Sequence, residues 1–329
     1  MDIADRLRLD VPVGQAGMGG GLAGPSLAAA VARAGGLGTL GHAPPKQLRL
    51  SIDQVRMEAP SRAVAVNLLM PYVRPQQVAT CIRAKVDVVV LAFGTDNATH
   101  PLIRHFRDAG VFVFVMVGTD AEARQAVARG ADGLIAQGRE AGGHLVGTEA
   151  ALDFLPKALA AGGGRPVFVA GGVATSADTQ AALGAGASGV IAGTRFLMTN
   201  ESGAHRAYLN RIVQARSTIE TTLFGLSWPA RHRVIPNDAT DRWCFPDGAI
   251  KALPAAINRY SARLSRVPQR GAGVIMRVQR MGLPLFTPIA PTKAMPESWV
   301  NSAALYAGET ARRLDRVTSA RQAINDLAP

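Results

Sequence analysis

Chemistry in this chain concentrates between Gly133 and Gly147, GLIAQGREAGGHLVG, where an apolar run gives way to an amide, a carboxylate and an imidazole set among glycines. Leu134, Ile135 and Ala136 read as a short buried strand, and Gln137, Glu140 and His144 come after it. Gly138, Gly142 and Gly143 let backbone come close to a ligand. An imidazole near its neutral pKa donates a hydrogen bond to an anionic oxygen or takes a proton from carbon, so His144 is the candidate catalytic residue. Glu140 is read as fixing the loop by hydrogen bonding rather than as an acid. Two more glycine-bearing segments, Val169–Ala170–Gly171–Gly172–Val173 and Ile191–Ala192–Gly193–Thr194–Arg195, each end an apolar strand. Backbone amides at such strand ends suit an anion, and phosphate is the usual guest at the last two strands of a parallel barrel. A phosphate-bearing cofactor is the expectation.

These segments need a scaffold that brings strand ends together. Apolar, β-branched runs occur at 11–15, 37–41, 63–69, 87–94, 111–118, 133–138, 166–171 and 189–193, with helical patterns between them. Asp120 is read as the N-cap of one of these helices. Strands apolar throughout and alternating with helices form a parallel sheet buried on both faces. Eight such units before residue 195 predict an α/β fold closed as a (β/α)8 TIM barrel, in preference to an open doubly wound sheet. From about Ser202 the pattern changes to Arg-rich helical segments broken by WPARHRVIPN, RWCFPDG and LPLFTP. The predicted organisation is a cofactor-binding barrel over 1–204, a smaller, mostly helical and loop-rich substrate-capping domain over 205–300, and C-terminal helices over 301–329 that pack back on the barrel. Trp228, Trp243, Phe224, Phe245 and Phe286 either furnish an apolar pocket over the barrel mouth or form plain core.

Composition narrows the function. A chain of 329 residues with 48% hydrophobic content can bury a large core. No apolar run reaches the ~18 residues of a membrane span, and the opening MDIADRLRLD is charged where a signal peptide would be apolar. A cytoplasmic protein without a membrane role is expected. Cys81 and Cys244 match neither a disulfide framework nor a zinc pattern and are read as buried free thiols. Of the net charge of +12, most lies late: residues 205–329 carry 18 Lys and Arg against 8 Asp and Glu. That surplus is read first as solvated surface and second as attraction for an anionic ligand or partner. Zinc-finger spacing and RNP-like strands are absent and aromatic content is 5%, which argues against a nucleic-acid partner. The six histidines give no metal-ligand spacing with the carboxylates. His100 and His105 are read as structural; His42 is read first as structural and second as a residue behind the site, and His232 within PARHR first as structural and second as a candidate for the pocket wall.

The combination of QAGMGGG at 15–21, VNL at 66–68, AQGREAGGH at 136–144, AGGV at 170–173 and AGTRF at 192–196 resembles the nitronate monooxygenase family, once called 2-nitropropane dioxygenases. LFGLSWPARHRVIPN at 223–237 and LYAGET at 305–310 extend the resemblance over most of the chain. The resemblance implies an FMN-dependent barrel that oxidises alkyl nitronates with O2 to a carbonyl compound and nitrite, without a nicotinamide cofactor. It also implies that Gly17 and Met18 lie near the flavin ring, that Asn67 and Gln137 hydrogen-bond it, and that Gly142 approaches it closely. Gly171, Gly172, Gly193 and Thr194 would bind the phosphate, and His144 would contact the nitronate. Many relatives continue the glycine pair as ADGRG where this chain reads ATSAD, Ala174 to Asp178, so Thr175 or Ser176 is expected to supply part of the phosphate donation.

Two other functions compete. An FMN-dependent enoyl or acyl thioester reductase or dehydrogenase, acting on coenzyme A or carrier-protein substrates, would use the same fold, and the basic tail suits its phosphates. A protein that holds flavin without turnover would have no need of a titratable His144 beside the ring.

Overall fold

Eight parallel strands close into a barrel in the computed structural model, which describes residues 3–94, 99–262, 279 and 281–329, the His100 side chain excepted. They are β1 (Val13–Gln15), β2 (Thr39–Leu40), β3 (Ala65–Leu69), β4 (Val88–Ala92), β5 (Phe112–Val117), β6 (Gly133–Gln137), β8 (Val167–Ala170) and β9 (Gly189–Ala192). Their order is β1-β9-β8-β6-β5-β4-β3-β2. Leu37 N donates to Val13 O at 2.9 Å and Gln15 N to Leu37 O at 3.0 Å, joining the first strand to the second and closing the ring. All eight lie where the apolar runs predict them.

Alternation along each strand divides the core into two layers. Val66, Val89, Val113, Leu134, Val169 and Val190 face the surrounding helices, whereas Ala65, Val88, Phe114, Ile135, Phe168 and Ile191 fill the lumen. Phe112, Phe114 and Phe168 meet there with ring centroids 4.9 and 5.2 Å apart. Glycine makes room for them, since a Cβ on Gly133 would stand 2.6 Å from the Phe114 ring and one on Gly189 2.7 Å from Phe168. The charged opening of the chain has a structural task that its composition does not announce. Helix Ile3–Leu7 inserts Leu7 into the lumen cluster and sets the Arg6 guanidinium 5.2 Å from the Phe112 ring centre. This helix thus packs at the floor of the barrel, opposite the carboxyl ends of the strands where ligands bind in such barrels.

Helices succeed the strands as the periodicity predicts, with one change of cap. Thr119, not Asp120, caps helix Asp120–Ala128, its side chain accepting from Glu122 N at 3.2 Å, while Asp120 pairs with Arg124 one turn on. Past β9 come helices Arg206–Gln214, Asp238–Trp243 and Ala252–Ser261, and the last helix, Ala320–Leu327, packs against Pro25–Arg33 and Ser176–Gly184. Part of the Arg-rich pattern, residues 263–278 and Arg280, lies outside the described residues. Among the described residues past β9, a small sheet joins these helices. β10 (Ile219–Thr221) pairs antiparallel with β11 (His232–Val234), which pairs antiparallel with β7 (Gly143–His144). A strand from the tail thus takes hold of the loop that carries His144.

Candidate active site

Gly17, Met18, Asn67, Gln137, Gly142, His144, Gly171, Gly172, Gly193 and Thr194 all line one cavity of about 950 Å³ at the carboxyl ends of the barrel strands. Gly17 and Met18 come after β1, Asn67 lies in β3, and Gln137 ends β6 ahead of Gly142 and His144. Gly171 and Gly172 come after β8, and Gly193 and Thr194 after β9. Asn67 Nδ2 donates to Gly17 O at 2.9 Å, and a Cβ on Gly17 would overlap Asn67 Cβ at 2.2 Å. Glycine at 17 is therefore what lets the first loop lie on the third strand.

The ends of β8 and β9 form an amide cradle. Gly171 and Gly172 take φ of +111° and +75°, conformations open to glycine at little cost. The backbone N–H groups of Gly171, Gly172 and Gly193 find no acceptor among the described residues. All three glycines are half-buried and line one cavity, and donors without a protein acceptor at the ends of neighbouring strands suit a phosphate. The hydroxyls expected to assist are elsewhere: Thr175 Oγ1 donates to Asp178 at 3.0 Å, and neither Thr175 nor Ser176 reaches the cavity wall.

The His144 loop is held from within and from the tail. Gln137 Nε2 donates to His144 O at 3.0 Å and its Oε1 accepts from Val146 N at 2.7 Å, so this amide grips the loop backbone. Glu140 does fix the loop, its Oε1 accepting from Ala151 N at 2.9 Å, while its Oε2 is buried without a partner. A Cβ on Gly142 would stand 2.3 Å from Gly308 N, so glycine there lets the two loops meet. Gly308 N in turn donates to Thr194 Oγ1 at 2.9 Å, and Glu309 N to Glu140 O at 3.0 Å. Arg233, nearly buried, donates to Arg139 O from Nε at 3.1 Å and Nη2 at 2.8 Å, with Glu220 and Glu309 carboxylates each 3.6 Å away.

His144 stands in an aromatic box. Trp228 stacks on it with centroids 3.7 Å apart, Phe93 meets it edge-on at 5.8 Å, and Tyr306 and His232 lie at 5.4 and 5.3 Å. Its Nε2 is buried without a hydrogen-bond partner. Burial first, and the neighbouring His232 second, hold its pKa well below the usual 6.5. The ring is therefore neutral at physiological pH and presents one N–H and one lone pair.

The remaining histidines have separate tasks. His42 lines the cavity, lies against Leu69 N and the Gln77 amide, and is pushed down to about 4 by burial. His232 is structural: Nδ1 lies 2.9 Å from Ala230 O, Nε2 accepts from Phe224 N at 3.3 Å, and burial lowers it to about 4. His205 caps helix Arg206–Gln214 and His105 is exposed. Of the five tail aromatics, Trp228 reaches the cavity; Phe224 and Phe286 are core, Trp243 packs beside them, and Phe245 is exposed. Tyr72, Phe93 and Tyr306 are not singled out by sequence, although Phe93 lies near the end of the predicted strand 87–94 and Tyr72 shortly after the one at 63–69, at the ends where ligands bind. Cys81 and Cys244 are free and buried, and burial pushes the Cys81 thiol up to about 12. Among the described residues no group of His, Cys, Asp and Glu could hold a metal, and no helix is long and apolar enough to cross a membrane.

Comparison with known proteins fits this arrangement. The sequence model of the nitronate monooxygenase family matches residues 3–79 and 53–329. The chain is 30% identical over 344 residues to the (3aS,4S,5R,7aS)-5-hydroxy-7a-methyl-1-oxo-octahydro-1H-indene-4-carboxyl-CoA dehydrogenase of Mycobacterium tuberculosis, covering 99% of this chain and 94% of that one. Among solved structures it is similar to FabK from Thermotoga maritima, at 28% identity and a TM-score of 0.75, with 99% and 94% of the chains covered. It is also similar to the nitroalkane oxidase of Streptomyces ansochromogenes, at 25% identity and a TM-score of 0.76, with 99% and 96% covered. With barrel, amide cradle and histidine loop all within the matched residues, this chain is an oxidoreductase and belongs to the nitronate monooxygenase family.

Proposed function

We propose that this enzyme binds FMN across the barrel mouth and oxidises alkyl nitronates with O2 to a carbonyl compound and nitrite. The carrying observation is a neutral, partly unpartnered imidazole in the same cavity as the free amides of Gly171, Gly172 and Gly193. Those amides, with the turn at Thr194, would hold the phosphate, and Gly17, Met18 and Asn67 would flank the ring. Bound FMN supplies the electron transfer that no protein side chain provides. His144, neutral in its aromatic box, donates its N–H to a nitronate oxygen without adding a buried charge, and its lone pair can take the α-proton of a neutral nitroalkane. Gln137 sets the ring's place by holding the His144 backbone, and Phe93, Trp228 and Tyr306 keep water away from the reacting atoms.

Anaerobic mixing of the FMN-loaded protein with a nitronate, NADH or NADPH tests this reading. Bleaching by the nitronate alone supports it. His144→Ala should keep FMN while kcat/KM falls about a hundredfold or more, the usual worth of a positioned acid–base group. Full turnover by that variant would refute the role of His144. A second reading, oxidation or reduction of an acyl thioester, is favoured by the cavity of about 950 Å³, larger than a small nitronate needs beside a flavin, and by the CoA ester named for the mycobacterial relative. Bleaching by NADH or NADPH, or by an acyl-CoA, with none by nitronate would select it.

A further inference from the structure

Positive charge is missing from the wall beside the amide cradle. Among the described residues no Lys or Arg lines the cavity, whereas Glu140 does, its Oε1 3.3 Å from the place a Cβ on Gly172 would take. The cation of this region stands behind the wall. Arg313 ends the short 3-10 helix Glu309–Arg313, which presents Thr310 to the cavity. Its Nη1 donates to Gly172 O at 3.4 Å, and its Nη2 donates to Thr175 Oγ1 at 3.4 Å and pairs with Asp178. Asp178 accepts from Ala174 N at 2.9 Å and Thr175 N at 2.8 Å, so guanidinium and carboxylate together fasten the turn that leaves β8.

Peptide geometry converts this outer contact into an inner one. The Gly172–Val173 peptide is trans, which sets the Gly172 carbonyl and the Val173 N–H on opposite sides. Arg313, the partner of that carbonyl, does not line the cavity, and Val173 does. The Val173 N–H finds no acceptor among the described residues. It joins the amides of Gly171, Gly172 and Gly193 as a fourth free donor.

Resting on the reading of these amides as a phosphate cradle, we propose that Arg313 is a positioning residue for the phosphate of FMN. It holds the Gly172 carbonyl outward, turns the Val173 N–H inward, and sets a positive charge one peptide behind the cradle. A carbonyl bound to a guanidinium also polarises its peptide, which strengthens the N–H on the other side. The effect is confined to the phosphate and leaves the flavin ring untouched.

Titration of the flavin-free, full-length protein with FMN and with riboflavin, which lacks the phosphate, tests the proposal. The parent should bind FMN more tightly than riboflavin. In R313M the affinity for FMN should fall about tenfold, the scale of a lost hydrogen bond to a charged group, while that for riboflavin stays within about twofold. R313K keeps the charge without the fork and should lie between. R312M removes a unit charge from the exposed neighbouring residue and should leave the ratio of the two affinities as in the parent. In isotope-labelled protein the Val173 amide proton should move downfield with FMN and far less with riboflavin. A parent that binds riboflavin as tightly as FMN would refute the phosphate cradle itself, whatever Arg313 does. Where the parent discriminates, an unchanged ratio in R313M, equal weakening of both flavins, or the same loss in R312M would overturn the role of Arg313. If R313M does not fold, an unchanged ratio in R313K overturns it, and an unmoved Val173 amide removes the fourth donor.

Discussion

Three buried histidines give the molecule a pH dependence that can be derived from their surroundings. Burial holds His42 and His232 at about 4 and His144 well below 6.5. In the unfolded chain each takes a proton below its ordinary value near 6.5. Between pH 6.5 and 4 the unfolded state therefore binds more protons than the folded one, and stability falls as pH falls; above 6.5 this contribution is constant. Each histidine adds at most about 1.4 kcal/mol per pH unit in that window. Denaturant titrations between pH 7 and 4.5 should show the decline, and His42→Gln should reduce its slope by about one proton. An unchanged slope would mean that His42 is protonated in the folded protein. His144 is legible in the sequence as a functional residue because glycines and an apolar strand flank it. Its neutrality is not, since the rings that bury it come from residues 93, 228, 232 and 306.

The three-stranded sheet is the element that turns a glycine-rich loop into a fixed site. β7 has two residues, and its pairing with β11 aligns His144 with His232 and Gly143 with Arg233. Arg233 then crosses to the Arg139 carbonyl. Arg233→Met keeps the stem but leaves that carbonyl without its donors and Glu309 without its counter-charge; Glu220 keeps Arg231 at 2.6 Å. A loss of about 2–4 kcal/mol in chemical denaturation is expected, with weaker flavin retention. Arg233→Lys should recover only part of it, because an ammonium lacks the parallel fork. Stability equal to that of the parent would show that the loop is held without Arg233. All eight barrel strands are readable from sequence because burial on both faces writes each as a run of Val, Ile, Leu and Ala. None of β7, β10 and β11 is, since two or three residues carry no readable period and β7 gains its structure only by meeting β11. The amide cradle is readable as glycines at two strand ends, whereas the Thr175 hydroxyl misleads because Asp178, three residues on, captures it.

Across the whole molecule, the cavity is shared between the barrel and the residues C-terminal to it. Thr194, Glu140 and Gly142 are met by Gly308 and Glu309, Trp228 comes from the β10–β11 connection, and Ile324 and Leu327 are buried in the final helix. A fragment of residues 1–204 should therefore expose apolar surface, bind a hydrophobic dye and retain no flavin. Supplying residues 205–329 in trans should restore some of both losses. A soluble, yellow fragment would show that the barrel builds the cradle alone. The docking of residues 305–310 also has a temporal meaning. On the ribosome, eight strands and the helix at their floor emerge well before the segment that buttresses the histidine loop. Nascent chains can begin to assemble the scaffold early, yet the catalytic chamber is finished only once residues 305–310 have emerged, so polypeptides released before that point are chemically silent.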